Sequence, residues 1–287
     1  MKILSSTIAG QLTLSLSALP LVLSQPVWAD ITDLTLFKTQ EYNQTTNSPP
    51  SIPVDFFATA RAFVGSITDF ASASLTVPNS TTQAMGLVSD PVQPHWLVDS
   101  GLQGSKAAMD AAFPFGNYSV IAANSDASHQ QTVSLNYSLD AYSSSVPALT
   151  VATYDALQHL SATQSHTINF NPFTPNPTTQ EQFIFFDIND GATNVLHQAF
   201  ANATTTSFVL PANTLQSGHA YTFDLVFSNR LVDSTPLDSN GLPYRTDIGF
   251  DLRTNGSLAT APVPVPAAAW LLGSAIGGLG VMRRRRV

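Results

Sequence analysis

The stretch from Leu215 to Phe227 reads LQSGHAYTFDLVF and carries the clearest signal for the fold. Its second half has a large apolar side chain at every second position: Tyr221, Phe223, Leu225 and Phe227. Successive side chains of a strand point to opposite faces of a sheet. This alternation therefore predicts a strand that is buried on one face only.

The residues just before this strand have a recognisable spacing. Gly218 lies three residues after Leu215, and Tyr221 lies three residues further on. The spacing resembles the tyrosine corner of immunoglobulin-like and fibronectin-type β-sandwiches. The resemblance implies that the Tyr221 hydroxyl hydrogen-bonds back to the loop backbone and fixes the corner. An ordinary strand entry is the alternative.

Further short segments rich in aromatic and β-branched residues lie between turn-forming residues. Such segments predict strands, and in the second half of the chain they are 167–170, 182–188, 207–210, 221–227 and 246–252. Asn189-Asp190-Gly191 follows one of them and is typical of a hairpin turn, because glycine readily adopts positive φ. The expected fold class is therefore mostly β.

The first half of the chain is less regular. The segment 113–120, FPFGNYSV, predicts a turn that leads into a strand, and 105–112 predicts a short helix or turn before it. The serine-rich segment 143–146 is a candidate linker. We therefore expect two immunoglobulin/fibronectin-like β-sandwich modules, 30–146 and 147–260. One larger β domain is the competing interpretation.

The C-terminal segment 261–287 carries a different kind of signal. Closely spaced prolines each fix their own φ and favour an extended backbone before them, so they predict a stiff stalk. The uncharged segment 267–282 would be about 24 Å long as a helix, at about 1.5 Å per residue. That length is close to what a transmembrane helix needs. The positive-inside rule assigns the cytoplasmic side to the arginines that follow, which are Arg283, Arg284, Arg285 and Arg286.

The N-terminal segment 1–29 has the features of a secretory signal peptide. Lys2 supplies a positive charge, 3–23 contains an apolar region, and Val27-Trp28-Ala29 has suitable side chains before a cleavage point. We expect signal peptidase to cut between Ala29 and Asp30. An N-terminal membrane anchor is the alternative.

The C-terminal stalk and span resemble the PEP-CTERM sorting signal in its Val-Pro-x-Pro-Ala-Ala-x-Trp-Leu form. The residues of the motif are Val263, Pro264, Val265, Pro266, Ala267, Ala268 and Trp270. The resemblance covers the C-terminal segment only. It implies an exosortase substrate, anchored in the inner membrane as a precursor, then cut near the prolines and transferred to the cell envelope or the extracellular matrix. A plain anchor that is never cut is the alternative.

The charge of the chain limits its partners. All 19 acidic residues but only six of the 11 basic residues lie between Asp30 and Pro262, which gives this segment a formal charge of −13. Nucleic-acid binding requires clustered Lys and Arg, so the composition argues against it. The chain has no cysteine, which excludes disulfides and thiolate chemistry.

The sequence carries no recognisable catalytic or metal-binding motif. The six histidines lack metal-binding spacing, and no nucleophile elbow or phosphate-binding glycine loop is present. Asp187 to Gly191 superficially resembles a calcium loop, but a hairpin turn fits better because its glycine falls at the fifth position. The acidic stretch around Asp233 and 238–241 favours a solvated loop over a weak Ca²⁺ site. We expect no cofactor and no enzymatic activity.

These observations predict an exported structural or adhesive protein of the cell envelope, extracellular matrix or biofilm, with exopolysaccharide as a possible partner. The alternative is a secreted carbohydrate-binding module or polysaccharide-active enzyme. Trp96 is the only tryptophan outside the two terminal signals. An exposed Trp96 in a loop would favour glycan stacking, and a buried one would be a core residue.

Overall fold

The computed structural model describes residues 30–66, 68, 70–90 and 93–262. The signal peptide, the sorting motif, the span 267–282 and the terminal arginines lie outside the described residues and stay predictions. Among the described residues, no helix combines the length and the apolar character needed to cross a membrane.

The described residues form 14 strands and two short helices. In chain order these elements are β1 (Ile31–Gln44), β2 (Asp55–Val64), β3 (Ser72–Thr76), β4 (Thr82–Ala84), β5 (Gly86–Val88), β6 (His95–Asp99), α1 (Lys106–Ala112), β7 (Gly116–Ala123), β8 (Gln130–Tyr137), α2 (Val151–Leu157), β9 (His166–Asn169), β10 (Glu181–Asp190), β11 (Thr193–Phe200), β12 (Ser207–Leu210), β13 (Ala220–Asp233) and β14 (Arg245–Ala259). The prediction of a mostly β fold is confirmed.

The strands form one long sheet and two smaller ones. The long sheet has eight strands in the order β11-β10-β13-β14-β1-β2-β6-β5. Its central pair, β1 and β14, is parallel, from Asp33 opposite Arg245 to Gln44 opposite Gly256. The other neighbours in this sheet pair antiparallel. The smaller sheets have the orders β4-β3-β7-β8 and β12-β9.

Both smaller sheets pack on the same side of the long sheet. A first hydrophobic core joins Leu34 and Ala60 of the long sheet to Val120 and Leu135 of the four-stranded sheet. A second core joins side chains of β10 and β13 to Ile168 of β9 and to α2. Strand alternation therefore leaves every second side chain of the long sheet on the opposite face.

The local predictions around β13 are confirmed. The Gln216 amide donates a hydrogen bond to the Tyr221 hydroxyl at 2.8 Å, which is the contact expected of a tyrosine corner. All four alternating side chains that begin at Tyr221 are buried. The predicted hairpin joins β10 to β11, with Gly191 at φ 58°.

Two further local predictions hold in the first half. The segment 105–112 contains α1, whose N-cap Ser105 accepts a hydrogen bond from the Ala108 amide. The turn after Phe113 leads into β7 as expected. The long strands β1 and β2 were not predicted, and neither was β11, in which four of the eight residues are polar.

The proposed boundary at residue 146 falls between the two cores. The sheet hydrogen bonds cross it, because β1 pairs with β14 along almost its whole length. The division into two modules stays a prediction. The candidate linker is not a free segment: the Ser143 hydroxyl donates to the Thr174 carbonyl at 2.9 Å, and the Thr174 amide donates to the Ser145 hydroxyl at 2.8 Å.

Candidate functional site

The candidate site is the face of the long sheet that points away from both cores, which we call the open face. It consists of the outward side chains of β10, β13, β14, β1 and β2. Two depressions of about 760 and 320 Å³ lie on it. Both are lined by Phe37, Arg61, Phe185 and Arg230, so they adjoin.

Ion pairs run across the open face. Arg230 Nη1 lies 2.9 Å from Asp247 Oδ2, and Arg245 Nη2 lies 2.9 Å from Glu181 Oε2. These pairs connect β13 to β14 and β14 to β10.

A third guanidinium continues this network. Arg253 of β14 lies 2.9 Å from an oxygen of Asp224 and 3.5 Å from one of Glu41. All four arginines of the segment 30–262 are on this face. Three of them are already balanced by carboxylates.

Aromatic rings fill the space between these ion pairs. The Phe37 ring lies across Gly249, where an added Cβ would be 2.3 Å from Phe37 Cδ1. Only glycine leaves room for the ring at this point of β14. The Arg230 guanidinium carbon lies 4.3 Å from the centre of the Phe37 ring, which is within cation–π range.

A second group of rings lies on the neighbouring strands. Phe183 and Phe185 of β10 are nearly parallel, with centroids 5.8 Å apart. The His197 ring of β11 lies 6.1 Å beyond Phe185. The His197 Nδ1 atom contacts Asp187 Oδ1 at 2.6 Å. The open face therefore offers flat rings and charged groups side by side.

Five buried polar atoms on the open face have no hydrogen-bond partner among the described residues. They are Thr35 Oγ1, Arg61 Nε, Asp247 Oδ1, Asp251 Oδ1 and Asn255 Oδ1. Thr35 and Asp247 are each only 5% exposed. Buried polar groups are almost always hydrogen-bonded in folded proteins, so these atoms lower the stability of the folded chain in this structure.

The carboxylates at the centre of the open face are electrostatically perturbed. Burial raises the pKa of Asp247 and of Asp251, and the positive charge of Arg230 opposes the increase in both cases. Burial also lowers the pKa of Arg61, while Asp251 opposes that decrease. A guanidinium nevertheless remains protonated in proteins. These three side chains are therefore charged groups that the fold partly shields from water.

The opposite face of the long sheet contains one buried charge. Lys38 is 0% exposed, and its Nζ atom donates hydrogen bonds to Asp110, to the Tyr137 hydroxyl at 3.0 Å and to the Phe113 carbonyl at 3.3 Å. Burial lowers the pKa of Lys38, and Asp110 opposes this. These contacts join β1 to α1 and β8, so the cluster has a structural role.

The structure places Trp96 in the core. This residue is 6% exposed and lies within strand β6, not in a loop. It packs in the first hydrophobic core. The loop position expected for Trp96 is therefore wrong, and the interpretation of a buried Trp96 as a core residue is confirmed.

The two acidic stretches considered for calcium are turns. Asp187 to Gly191 ends β10 and forms the hairpin to β11. One Asp238 oxygen accepts from the Asn240 and Leu242 amides, and the other accepts from Gln131 Nε2 at 2.7 Å. No group of three or more His, Asp or Glu residues in the described part of the chain is arranged to hold a metal ion.

Sequence reasoning missed the open face. The sequence feature that corresponds to this face is the pattern of β14. Charged residues alternate there with buried apolar ones, at Arg245, Asp247, Asp251 and Arg253. The same period occurs in β2, where Phe57, Arg61 and Phe63 face outward. The pattern could have indicated a polar sheet face, but not which strands lie beside each other.

No protein-family model matches the chain, and no curated protein matches it. Among solved structures, the FN1–FN3 domains of chicken CNTN1 superpose with a TM-score of 0.24 and 11% identity, over 78% of this chain and 66% of that chain. The IG1+IG2 structure of DIP-gamma gives 0.20 and 9%, over 76% and 97%. The alpha-2-macroglobulin of E. coli gives 0.18 and 9%, over 79% and 14%. Function is therefore inferred from the geometry of the sheet face.

Proposed function

We propose that this chain is an exported structural or adhesive protein of the cell envelope or extracellular matrix, and that the open face is its contact surface. The observation that carries the proposal is this face, on which half-buried aromatic rings lie between ion pairs in two adjoining depressions. The mostly β fold is compatible with such a role.

Export and sorting depend on the two terminal signals. The PEP-CTERM-like motif at 263–270 would present the stalk to an exosortase, and signal peptidase would remove 1–29. The acidic composition of the segment between them keeps an exported chain soluble through self-repulsion. The proposed location is therefore the envelope or the matrix.

The sorting proposal is tested by the intact mass and the C-terminal peptide of the protein. Both are measured on protein recovered separately from the membranes and the culture medium of its host. We expect a C-terminus near Pro264 or Pro266 in the released fraction. A chain that ends after the four arginines and is found only in membranes would contradict sorting.

A deletion of 263–287 provides the matched genetic test. We expect the truncated protein to change its location, because the recognition motif and the span are lost together. The thermal unfolding midpoint should stay within about 2 °C of the full-length value, which corresponds to under about 1 kcal/mol. An unchanged distribution would contradict the role of the tail.

A further inference from the structure

We propose that the side chains of Lys38 and Asp110 join in an intramolecular amide bond, which the folded chain forms by itself. The bond links Lys38 Nζ to Asp110 Cγ and releases one water molecule. It fastens β1, at the centre of the long sheet, to α1. The inference goes beyond the proposed contact role and does not depend on the open face.

The two reacting groups are in direct contact. Lys38 Nζ donates a hydrogen bond to Asp110 Oδ1, and Lys38 is fully buried. Two reactants that are fixed next to each other behave as if present at about 10⁵ to 10⁸ M. The Asp110 carboxyl plane must turn towards Nζ for attack on its carbon, and the terminal torsion of an aspartate is broad enough to permit this. The fold therefore removes the cost of bringing the two groups together.

The residue type at position 38 suits a reaction as well as an ionic contact. The segment 30–262 contains two lysines and four arginines. Both lysines, Lys38 and Lys106, lie in this cluster. A buried lysine can lose its proton and become a nucleophile, whereas an arginine stays protonated. Burial lowers the pKa of Lys38, although Asp110 opposes the decrease.

A ring of polar groups connects the attacking nitrogen to the oxygen that must leave. Lys38 Nζ donates to the Tyr137 hydroxyl at 3.0 Å, and that hydroxyl donates to Asp140 Oδ1. On the other side of the ring, Lys106 Nζ lies 2.5 Å from Asp140 Oδ2 and 2.6 Å from Asp110 Oδ2. The ring therefore provides a path for protons from Lys38 Nζ to Asp110 Oδ2.

The step balances without any further reactant. The ammonium of Lys38 carries three protons, and the amide nitrogen keeps one of them. The nitrogen lone pair forms the bond to Asp110 Cγ, and the bond from Cγ to Oδ2 breaks with its electron pair on oxygen. The other two protons pass through Tyr137, Asp140 and Lys106 to Oδ2, which leaves as water. One positive and one negative charge disappear together, and the three relay groups return to their original state.

The surroundings favour the product. A buried ammonium and its carboxylate each lose hydration that their attraction only partly restores, whereas an amide carries no charge. The released water has a way out, because the Asp110 side chain is 31% exposed. The chain has no cysteine, so the amide would give an exported protein the kind of cross-link that disulfides give to others.

The test is a tryptic digest of the exported protein, purified from its host and denatured, with the peptides measured by mass spectrometry. We expect no cleavage after Lys38 and a branched peptide that joins Lys38 to Asp110. Its mass should be about 18 Da below the sum of its two parts, which is one water molecule. Cleavage after Lys106 in the same digest is the internal control. Cleavage after Lys38 in most molecules, or a bond that fragmentation places at Asp140, would overturn the inference.

Variants separate the reaction from folding. Asp110→Ala removes the reacting carboxyl group and should restore cleavage after Lys38. Tyr137→Phe keeps the buried ring but removes the relay hydroxyl, and should lower the linked fraction of freshly synthesised protein at least about tenfold. Asp140→Asn tests this positioning residue in the same way, and Asp140→Glu should recover at least half of the linked fraction. Asp155→Asn changes a carboxylate of α2 and should leave the linked fraction unchanged.

Circular dichroism of the same samples reports on folding. A native β spectrum with unlinked Lys38 in Tyr137→Phe or Asp140→Asn supports the relay, and native spectra with complete linking in both would contradict it. The wild-type digest decides on the bond even where a variant does not fold. An unlinked wild type would leave the C-terminal processing experiment and the contact role of the open face unaffected, so the failures are separable.

Discussion

The two faces of the long sheet differ in chemistry although the same strands build them. On β14, Ile248, Phe250 and Leu252 are buried in the cores, whereas Asp247, Asp251 and Arg253 lie between them on the open face. The core face is apolar apart from the Lys38 cluster and the few polar side chains buried with it. The open face keeps charged groups and rings within reach of solvent. The difference indicates that one face holds the fold together and the other is available for contact.

The buried charged groups on the two faces also differ in how completely they are hydrogen-bonded. Lys38 makes three hydrogen bonds to protein groups. Asp247 and Asp251 each retain one buried oxygen without a partner. A fully hydrogen-bonded charge supports a structure, whereas a buried oxygen without a partner costs stability. Substitutions on the two faces should therefore have different and sometimes opposite effects.

The largest expected effect is on the core face of β14. Phe250→Ala should lower the free energy of unfolding by about 4 kcal/mol, because it removes a fully buried ring that packs against Tyr142. Urea denaturation followed by tryptophan fluorescence measures this. Val226→Ala, on the open face of β13, is the control and should cost less than about 1 kcal/mol. Equal losses would show that both faces are packed.

The next largest effect concerns the Lys38 cluster. Asp110→Ala should cost about 3 kcal/mol, because it leaves the ammonium of Lys38 buried without its contacting carboxylate. The double variant Lys38→Met with Asp110→Ala removes the charge as well, and should be more stable than Asp110→Ala alone. If the double variant is the less stable of the two, Lys38 does not depend on Asp110 for its charge balance.

A smaller loss is expected at the tyrosine corner. Tyr221→Phe removes the hydroxyl that accepts a hydrogen bond from the Gln216 amide. It should lower the free energy of unfolding by about 1.5 kcal/mol, because the backbone amide loses its partner. Thermal unfolding at several urea concentrations gives this value. An unchanged free energy would mean that the contact only accompanies the corner and does not stabilise it.

The smallest effect has the opposite sign. Asp251→Asn should raise the free energy of unfolding by about 1 kcal/mol at pH 7, because it removes a buried charge of which one oxygen has no hydrogen-bond partner. The folded-state pKa of Asp251 lies above its unfolded value, so the wild type loses stability as pH rises from the unfolded pKa to the folded one.

The advantage of Asp251→Asn should consequently disappear below about pH 4, near the ordinary pKa of aspartate. Unfolding free energies of both proteins at pH 3 to 7 check the dependence. A gain that is constant over this range would contradict the proposed cause.

The parts of the fold that could be predicted are those with local signals. The corner at Tyr221, the hairpin at Gly191 and the helix capped by Ser105 each depend on a few neighbouring residues. The parallel pairing of β1 with β14 joins segments about 200 residues apart, and no short pattern specifies such a partner.

The site was missed for the same reason. The outward alternation of β14 is visible in the sequence, but the stack of Phe37 on Gly249 and Arg230 requires knowing that β13, β14 and β1 are neighbours. The rings of the open face are half-buried phenylalanines, which nothing in the sequence distinguishes from core phenylalanines. The terminal signals, in contrast, are fully local, and their prediction depends on motif residues alone.

The most direct test of the contrast between the faces is hydroxyl-radical footprinting of the exported protein, both purified and in its native matrix. Phe185 and Phe186 are neighbours on β10 with opposite orientations, so one peptide reports on both faces. We predict that Phe185 is oxidised in the purified protein and protected in the matrix, while Phe186 is protected in both. Protection of Phe185 in the purified protein, or its oxidation in both preparations, would contradict an open face that serves as the contact surface.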